Sequence, residues 1–269
     1  MPRGLCFDRN HGHDSSHLQS AFTGMHKRDL QPELMDDPAL DREQHLMALR
    51  GLARLNRLSP TATPFVRGIN QLVDAHGERS GVVPRKLHVL DLATGSADLP
   101  IALYGARRRL RVSELHLAGA DISPTALDAA RLRADRHGVA LETMQLDLIT
   151  RPIPSGFDVI TCSLFLHHLD DEQIVSLLSR ASQAAALGIV FSDLVRSRVN
   201  LGLVAAASRL VSRSRIVHTD AVRSIRAALT RAELAGLADR AKLGGFALQS
   251  AGLCRMMLIW PRPSDADCA

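Results

Sequence analysis

Lysine is nearly absent from this 269-residue chain. Lys27, Lys86 and Lys242 stand alone among 33 basic residues, and the rest are arginine. Aromatic residues are also scarce, at 3%. The core must therefore be aliphatic, and any aromatic stacking platform must be small. The four cysteines, Cys6, Cys162, Cys254 and Cys268, include no CxxC pair and no metal-ligand spacing. That speaks against a disulfide framework and predicts free thiols in a reduced, cytoplasmic protein with no metal site. No apolar leader opens the chain, and Leu201–Ala207, the longest apolar helical stretch, is too short to span a bilayer.

The composition that is present, 46% hydrophobic and 23% charged, fits one sizeable α/β domain with an appendage. The net charge of +5 is compatible with nucleic acid or an anionic substrate, but an arginine-rich composition produces it with no partner at all. Residues 1–35 are polar and non-periodic and read as a disordered tail despite His11, His13, His17 and His26. Residues 36–80 read as a helical cap, with apolar spacing over Leu46–Leu55 and again over Phe65–Ala75. From 81 to 269 strand and helix alternate, with strands expected at Leu87–Leu92, Leu115–Ala120, Leu141–Leu146, Phe157–Leu164 and Gly188–Phe191. A helical insertion over 194–243 precedes two closing strands, Phe246–Ser250 and Arg255–Trp260. The expected architecture is a Rossmann-like, seven-stranded, doubly wound sheet of mostly parallel order.

The segment Val89-Leu90-Asp91-Leu92-Ala93-Thr94-Gly95-Ser96-Ala97-Asp98 runs from a buried strand through a small-residue turn into a helix. Small residues let a ligand approach the backbone, and the helix start offers free N–H groups. A dinucleotide site needs G-x-G-x-x-G, but these positions read Ala93, Gly95 and Asp98. Asp91 and Asp98 would repel a pyrophosphate and favour a cationic ligand instead.

This stretch resembles motif I of class I S-adenosylmethionine-dependent methyltransferases, D-x-G-x-G-x-G, departing from it at Ala93 and Ala97. The resemblance implies S-adenosylmethionine as cofactor, held by Asp91, Ala93, Thr94, Gly95 and Asp98. It further implies that Asp121 contacts the ribose with Ile122 beside it, that Asp147 and Leu148 meet the adenine, and that Ser163 lies at the same rim. The run Phe157–Leu169 is similar to the F-D-x-I…L-H-H-L segment of the ubiquinone/menaquinone-biosynthesis type and its small-molecule relatives. Each carboxylate taken alone is also an ordinary strand-ending turn residue, and the two histidines could simply be packed. What joins them is their position at the carboxyl ends of successive strands, where open α/β sheets bind ligands.

A methyl acceptor sometimes needs a base, and histidine suits a phenol near neutral pH. His168 is the first candidate and His167 the second, ahead of His218 and Asp193. The expected reaction is O- or C-methylation of a small aromatic, quinone-like or polyketide-like molecule, without nucleic acid or membrane span, by a monomer or homodimer. The alternatives are an RNA methyltransferase and a non-catalytic binding protein with the same fold. The insertion and the N-terminal helices are expected to cover the acceptor pocket, with Leu201, Leu203, Val204 and Leu210 lining it. The arginines of the insertion, Arg196 among them, could hold a carboxylated acceptor or an acidic carrier. The absence of a proline-rich tetrapeptide after the fourth strand, where Ser163-Leu164-Phe165-Leu166 stands, disfavours N-methylation.

Overall fold

A computed structural model of the chain describes residues 25–34, 41, 47 and 62–263. The helix expected over Leu46–Leu55 and most of the expected tail lie outside them.

Seven strands form one sheet in the order β3-β2-β1-β4-β5-β7-β6. They are β1 (Lys86–Leu92), β2 (Glu114–Asp121), β3 (Leu141–Gln145), β4 (Phe157–Ser163), β5 (Ala185–Leu194), β6 (Ala247–Ser250) and β7 (Arg255–Pro261). β1 to β5 run parallel, and β7 is antiparallel to both neighbours. Strands covered on both faces need no polar alternation, which is why the buried parts of β1, β4 and β5 read as apolar runs. β5 is longer than its Gly188–Phe191 core, because α4 (Asp171–Ala184) passes into it without a turn residue.

One face of the sheet is covered by α1 (Ala62–Ser80) and α2 (Asp98–Gly105), and α3 (Pro124–Arg136) adds Ala134 there. Phe65, Ile69, Leu72 and Val73 of α1 pack with Val89, Val190 and Ile259 of the sheet. The second helix of the expected N-terminal cap is present as α1 and packs on this face of the sheet. It is also longer than Phe65–Ala75. The opposite face carries α4 and α7 (Arg231–Arg240) around Ile160, Ile189 and Leu258. The capping box read at Asp170 is present, with Asp170 Oδ1 accepting from Gln173 N–H at 2.8 Å.

Residues 194–243 form three helices, α5 (Arg198–Val211), α6 (Arg215–Ala227) and α7. α6 packs against the single helical turn Leu166–His168 that follows β4. Residues 25–34, assigned by composition to a disordered tail, instead lie against α6 and that turn, with Asp29 N–H donating to the Arg226 carbonyl at 3.2 Å. Among the described residues no helix is long and apolar enough to cross a membrane.

The direction of strand addition reverses between β1 and β4, so the carboxyl ends of β1, β2, β4 and β5 share one rim at the switch point.

Candidate active site

Asp91 ends β1 fully buried, in register with Thr161 of β4. Its Oδ1 accepts from Thr161 Oγ1 and its Oδ2 from Thr94 Oγ1, both at 2.9 Å. Burial pushes its pKa up from 3.8 to about 7 against the pull of these two hydroxyls, and the charges of Asp121 and Asp98 add to the rise. A carboxyl poised there ionises more readily when a cation arrives.

The turn after β1 holds Ala93, Gly95 and Ala97 in left-handed backbone, with φ of 51°, 54° and 62°. Glycine adopts such angles freely, whereas alanine is strained there by roughly 1–2 kcal/mol. The two alanines that depart from the glycine pattern thus take the conformation that glycine favours. The turn is pinned to β2: Thr94 N–H donates to the Ala120 carbonyl at 3.0 Å, and Gly95 N–H donates to Asp121 Oδ2 at 2.9 Å. Gly119 on β2 makes room for this, since a Cβ there would come within 2.7 Å of the Thr94 methyl. The other oxygen of Asp121 accepts from Ser123 N–H at 2.9 Å. Ile122, the next residue, is 61% exposed and offers apolar surface beside the carboxylate.

The remaining expected contacts have other partners. Asp98 pairs with Arg133 of α3 at 2.6 Å, and Arg133 also donates to the Ser96 carbonyl, so this cation clamps the turn from outside. Asp147 accepts from Thr150 Oγ1 at 2.6 Å and Ile149 N–H at 2.8 Å, bonds that hold its carboxyl below the ordinary range and shape its own turn. Leu148 packs its side chain into the core, and Ser163 is half-buried at the end of β4.

Beyond β4, Leu164 turns left-handed, with φ of 59°, and its N–H donates to the Ser192 carbonyl of β5. The helical turn that follows brings His167 onto the end of β5. Its Nδ1 lies 2.7 Å from Asp193 Oδ1, and its backbone N–H donates to Asp193 Oδ2 at 3.1 Å. Both side chains are buried. Burial alone would lower the imidazole pKa, but the charge and hydrogen bond of Asp193, with Glu33 further off, raise it above its usual value. Burial works against ionisation of Asp193 in the same way, and His167 overcomes it. His168 stacks 4.2 Å from the His167 ring and shifts downward, through partial burial and then the charge of its neighbour. Cys162 on β4 feels both Asp91 and Asp193, which with burial push its thiol well up. The β1 turn and the His167–Asp193 pair therefore flank one strand.

His218 lies in the insertion, its Nε2 bonded to the Ser212 carbonyl at 2.8 Å. Arg196 is buried and ties the Ala228 carbonyl, the Met25 carbonyl and Glu233 together, a structural hub rather than a free cation. Leu201 is buried as expected, but Leu210 is 87% exposed. Sequence reasoning ranked Asp193 low and missed Glu33 and Arg133. Glu33 Oε1 stands 4.0 Å from His167 Nε2, and with His168 these residues bring three ligand-type atoms within 4.8 Å of one another. A cavity of about 530 Å³ opens along the outer side of Arg28, lined by His26, Leu30 and Glu172 among others, with none of the rim residues in its wall.

A family profile described as a methyltransferase domain matches residues 89–188. Over 94 residues the chain is 33% identical to the demethylmenaquinone methyltransferase of Thermus thermophilus, covering 34% of this chain and 40% of that protein. The chain thus spans less than half the length of this curated relative. Among solved structures, the S-adenosylmethionine-dependent methyltransferase SibL in its apo form superposes with a TM-score of 0.60 at 19% identity, over 93% of this chain and 68% of that one. An O-methyltransferase family 2 protein from Planctomyces limnophilus, solved with apigenin, gives 0.56 at 19% identity, over 84% and 63%. The plantazolicin methyltransferase BpumL with S-adenosylhomocysteine gives 0.55 at 16% identity, over 78% and 75%. Residues 89–188 match a methyltransferase domain, and the chain shares the fold of these solved structures.

Proposed function

We propose that the chain transfers a methyl group to a hydroxyl or carbon of a small aromatic, quinone-like or polyketide-like molecule, with His167 as general base. The observation that carries this reading is the adjacency of two built devices at one switch point. The buried Asp91 turn is pinned through Gly95 to Asp121, and the His167–Asp193 pair stands across β4 from it.

The residues fit S-adenosylmethionine better than a pyrophosphate cofactor. A buried carboxyl with its pKa near neutrality, a second carboxylate on the neighbouring strand and an exposed isoleucine make this rim acidic with one apolar edge. Asp91 and the 93–97 backbone would hold the charged amino-acid end, Asp121 the ribose hydroxyls, and Ile122 the base. When bound there, S-adenosylmethionine supplies a methyl group already activated by a positive sulfur.

The protein's own task is to align the acceptor and remove its proton. Asp193 accepts at Nδ1, which fixes that nitrogen as the protonated one and leaves Nε2 as the base. His168, the first candidate by sequence, has no such orienting carboxylate among the described residues, so the role passes to His167. The quinone-like acceptor class draws on the demethylmenaquinone methyltransferase relative. The non-catalytic alternative rested on Ala93 and Ala97, and their glycine-like backbone favours the catalytic reading.

Calorimetric titration with S-adenosylhomocysteine tests the cofactor half; absence of binding would refute it. Transfer of labelled methyl to a panel of phenols and quinols tests the acceptor half. His167→Ala is expected to lower turnover at least a hundredfold and His168→Ala far less. Equal, full turnover in both variants would remove the base assignment, and binding that collapses steeply with salt would indicate an RNA acceptor instead.

A further inference from the structure

Ten residues of the N-terminal segment are tied down at nearly every step. Arg28 donates from Nε to the Ala227 carbonyl at 2.8 Å, from one terminal nitrogen to the Leu169 carbonyl at 2.8 Å, and from the other to Asp171 at 2.9 Å. It thereby bridges the end of α6 to the turn that carries His167. Arg223 donates to the Pro32 carbonyl, and Leu34 N–H donates to Asp220 Oδ1 at 2.7 Å. Between these anchors Glu33 is turned inward, accepting from the Ser224 hydroxyl, with its side chain only 12% exposed. A carboxylate is not withdrawn from water without a partner. The titratable groups it faces are the His167 ring, at 4.0 Å from Nε2, and the His168 ring beside it.

We propose that residues 25–34 form one wall of the acceptor site, and that Glu33 is a positioning residue holding the His167 ring from the side opposite Asp193. This rests on the assignment of His167 as the base. The two carboxylates address different nitrogens of one imidazole. Asp193 bonds Nδ1 directly at 2.7 Å. Glu33 stands off Nε2 by more than a hydrogen bond, which leaves that nitrogen a position for an acceptor hydroxyl while keeping negative charge close by. When the hydroxyl proton moves to Nε2, the imidazolium forms between two anions. The opposing charges are Arg28 on the same segment, His168 on the same turn, and Arg255 on the far side of Asp193. Delivery of Glu33 by a segment so distant in sequence ties the competence of the base to the closure of that wall.

The test uses the full-length protein and follows the His167 ring C–H signals by NMR across pH, assigned with His167→Gln. Glu33→Gln is expected to lower the titration midpoint by about one pH unit. Glu33→Asp should restore most of it, and Ser224→Ala should shift it partway in the same direction. An unchanged midpoint in both Glu33→Gln and Ser224→Ala would overturn the proposal. Titration with Zn²⁺ separates a cation site made of Glu33, His167 and His168. Stoichiometric binding by the wild type that is lost in Glu33→Gln would overturn the positioning role, and weak binding equal in both would sustain it. Binding of S-adenosylhomocysteine to the wild type reports on the methyltransferase reading alone, so the two can fail separately.

Discussion

Ala93→Gly is expected to stabilise the protein, although replacing alanine by glycine ordinarily does the reverse. Relief of the left-handed backbone at φ 51° returns roughly 1–2 kcal/mol. Greater freedom of the unfolded chain removes about 0.4–1 kcal/mol. Ala93 is half-buried against the core, so part of one methyl contact, at about 0.8 kcal/mol for a full burial, is also lost. The net gain is about 0.5 kcal/mol. Ala97 is fully buried, so its Gly variant should come out near zero. Ala206, exposed on α5 with ordinary helical backbone, is the control, and Ala206→Gly should cost about 1 kcal/mol. The gap between Ala93→Gly and Ala206→Gly is then about 1.5 kcal/mol, or about 3–6 °C in Tm for a domain of this size. Urea unfolding with matched slopes and thermal melts both read it. Should Ala93→Gly lose as much as Ala206→Gly, the strained turn would not be a property of the folded protein.

Asp91 is predicted to make stability depend on pH. Its folded pKa of about 7 lies above the ordinary carboxylate value of 3.8, so the native state keeps a proton that the unfolded chain has released. Stability therefore falls as pH rises through that window and is level above it. Asp91→Asn abolishes the slope, gaining on the wild type by up to about 4 kcal/mol between pH 4 and pH 8; a pH-independent difference in urea unfolding refutes the assignment. Gly119→Ala drives a Cβ into the Thr94 methyl and should destabilise by about 1–3 kcal/mol, with partial recovery on adding Thr94→Ser. Turnover should rise with pH through a midpoint above 6.5, because His167 works as a base only after losing the proton that Asp193 helps it keep. A profile that falls over the same range would exclude it.

The sheet was legible because parallel strands covered on both faces leave apolar runs, and because Ser123-Pro124 and Asp170…Gln173 mark helix starts through local hydrogen bonds. The turn that links Asp91 to Asp121 through Gly95 was legible for a related reason: its residues belong to consecutive elements, and their spacing fixes the turn. The Asp98 pair was not legible, because a charge in sequence carries no sign of its partner, and Arg133 comes from the next helix. Asp147 accepts hydrogen bonds within its own turn, as an aspartate after a strand commonly does. The sequence reading places His168 ahead of His167, and only the adjacency of β4 and β5 decides which one meets a carboxylate. Glu33 left no local signal, since its role depends on a segment crossing back over α6.

The two halves of the proposed site are therefore encoded differently. The cofactor half lies within one stretch of chain, where a few small and acidic residues dictate the backbone a ligand meets, and the matched family region, 89–188, contains nearly all of it. That region also includes His167 but ends before Asp193, the helices of 194–243 and every residue of the N-terminal segment. The groups proposed to orient the base and wall off the acceptor thus lie outside the matched region. Substitutions at 91–97 and at Asp121 should change affinity for the methyl donor whatever the acceptor is. Those at 25–34 and on the inward side of α6 should change which acceptor is methylated while leaving donor affinity in place, because they touch only the far side of the His167 ring.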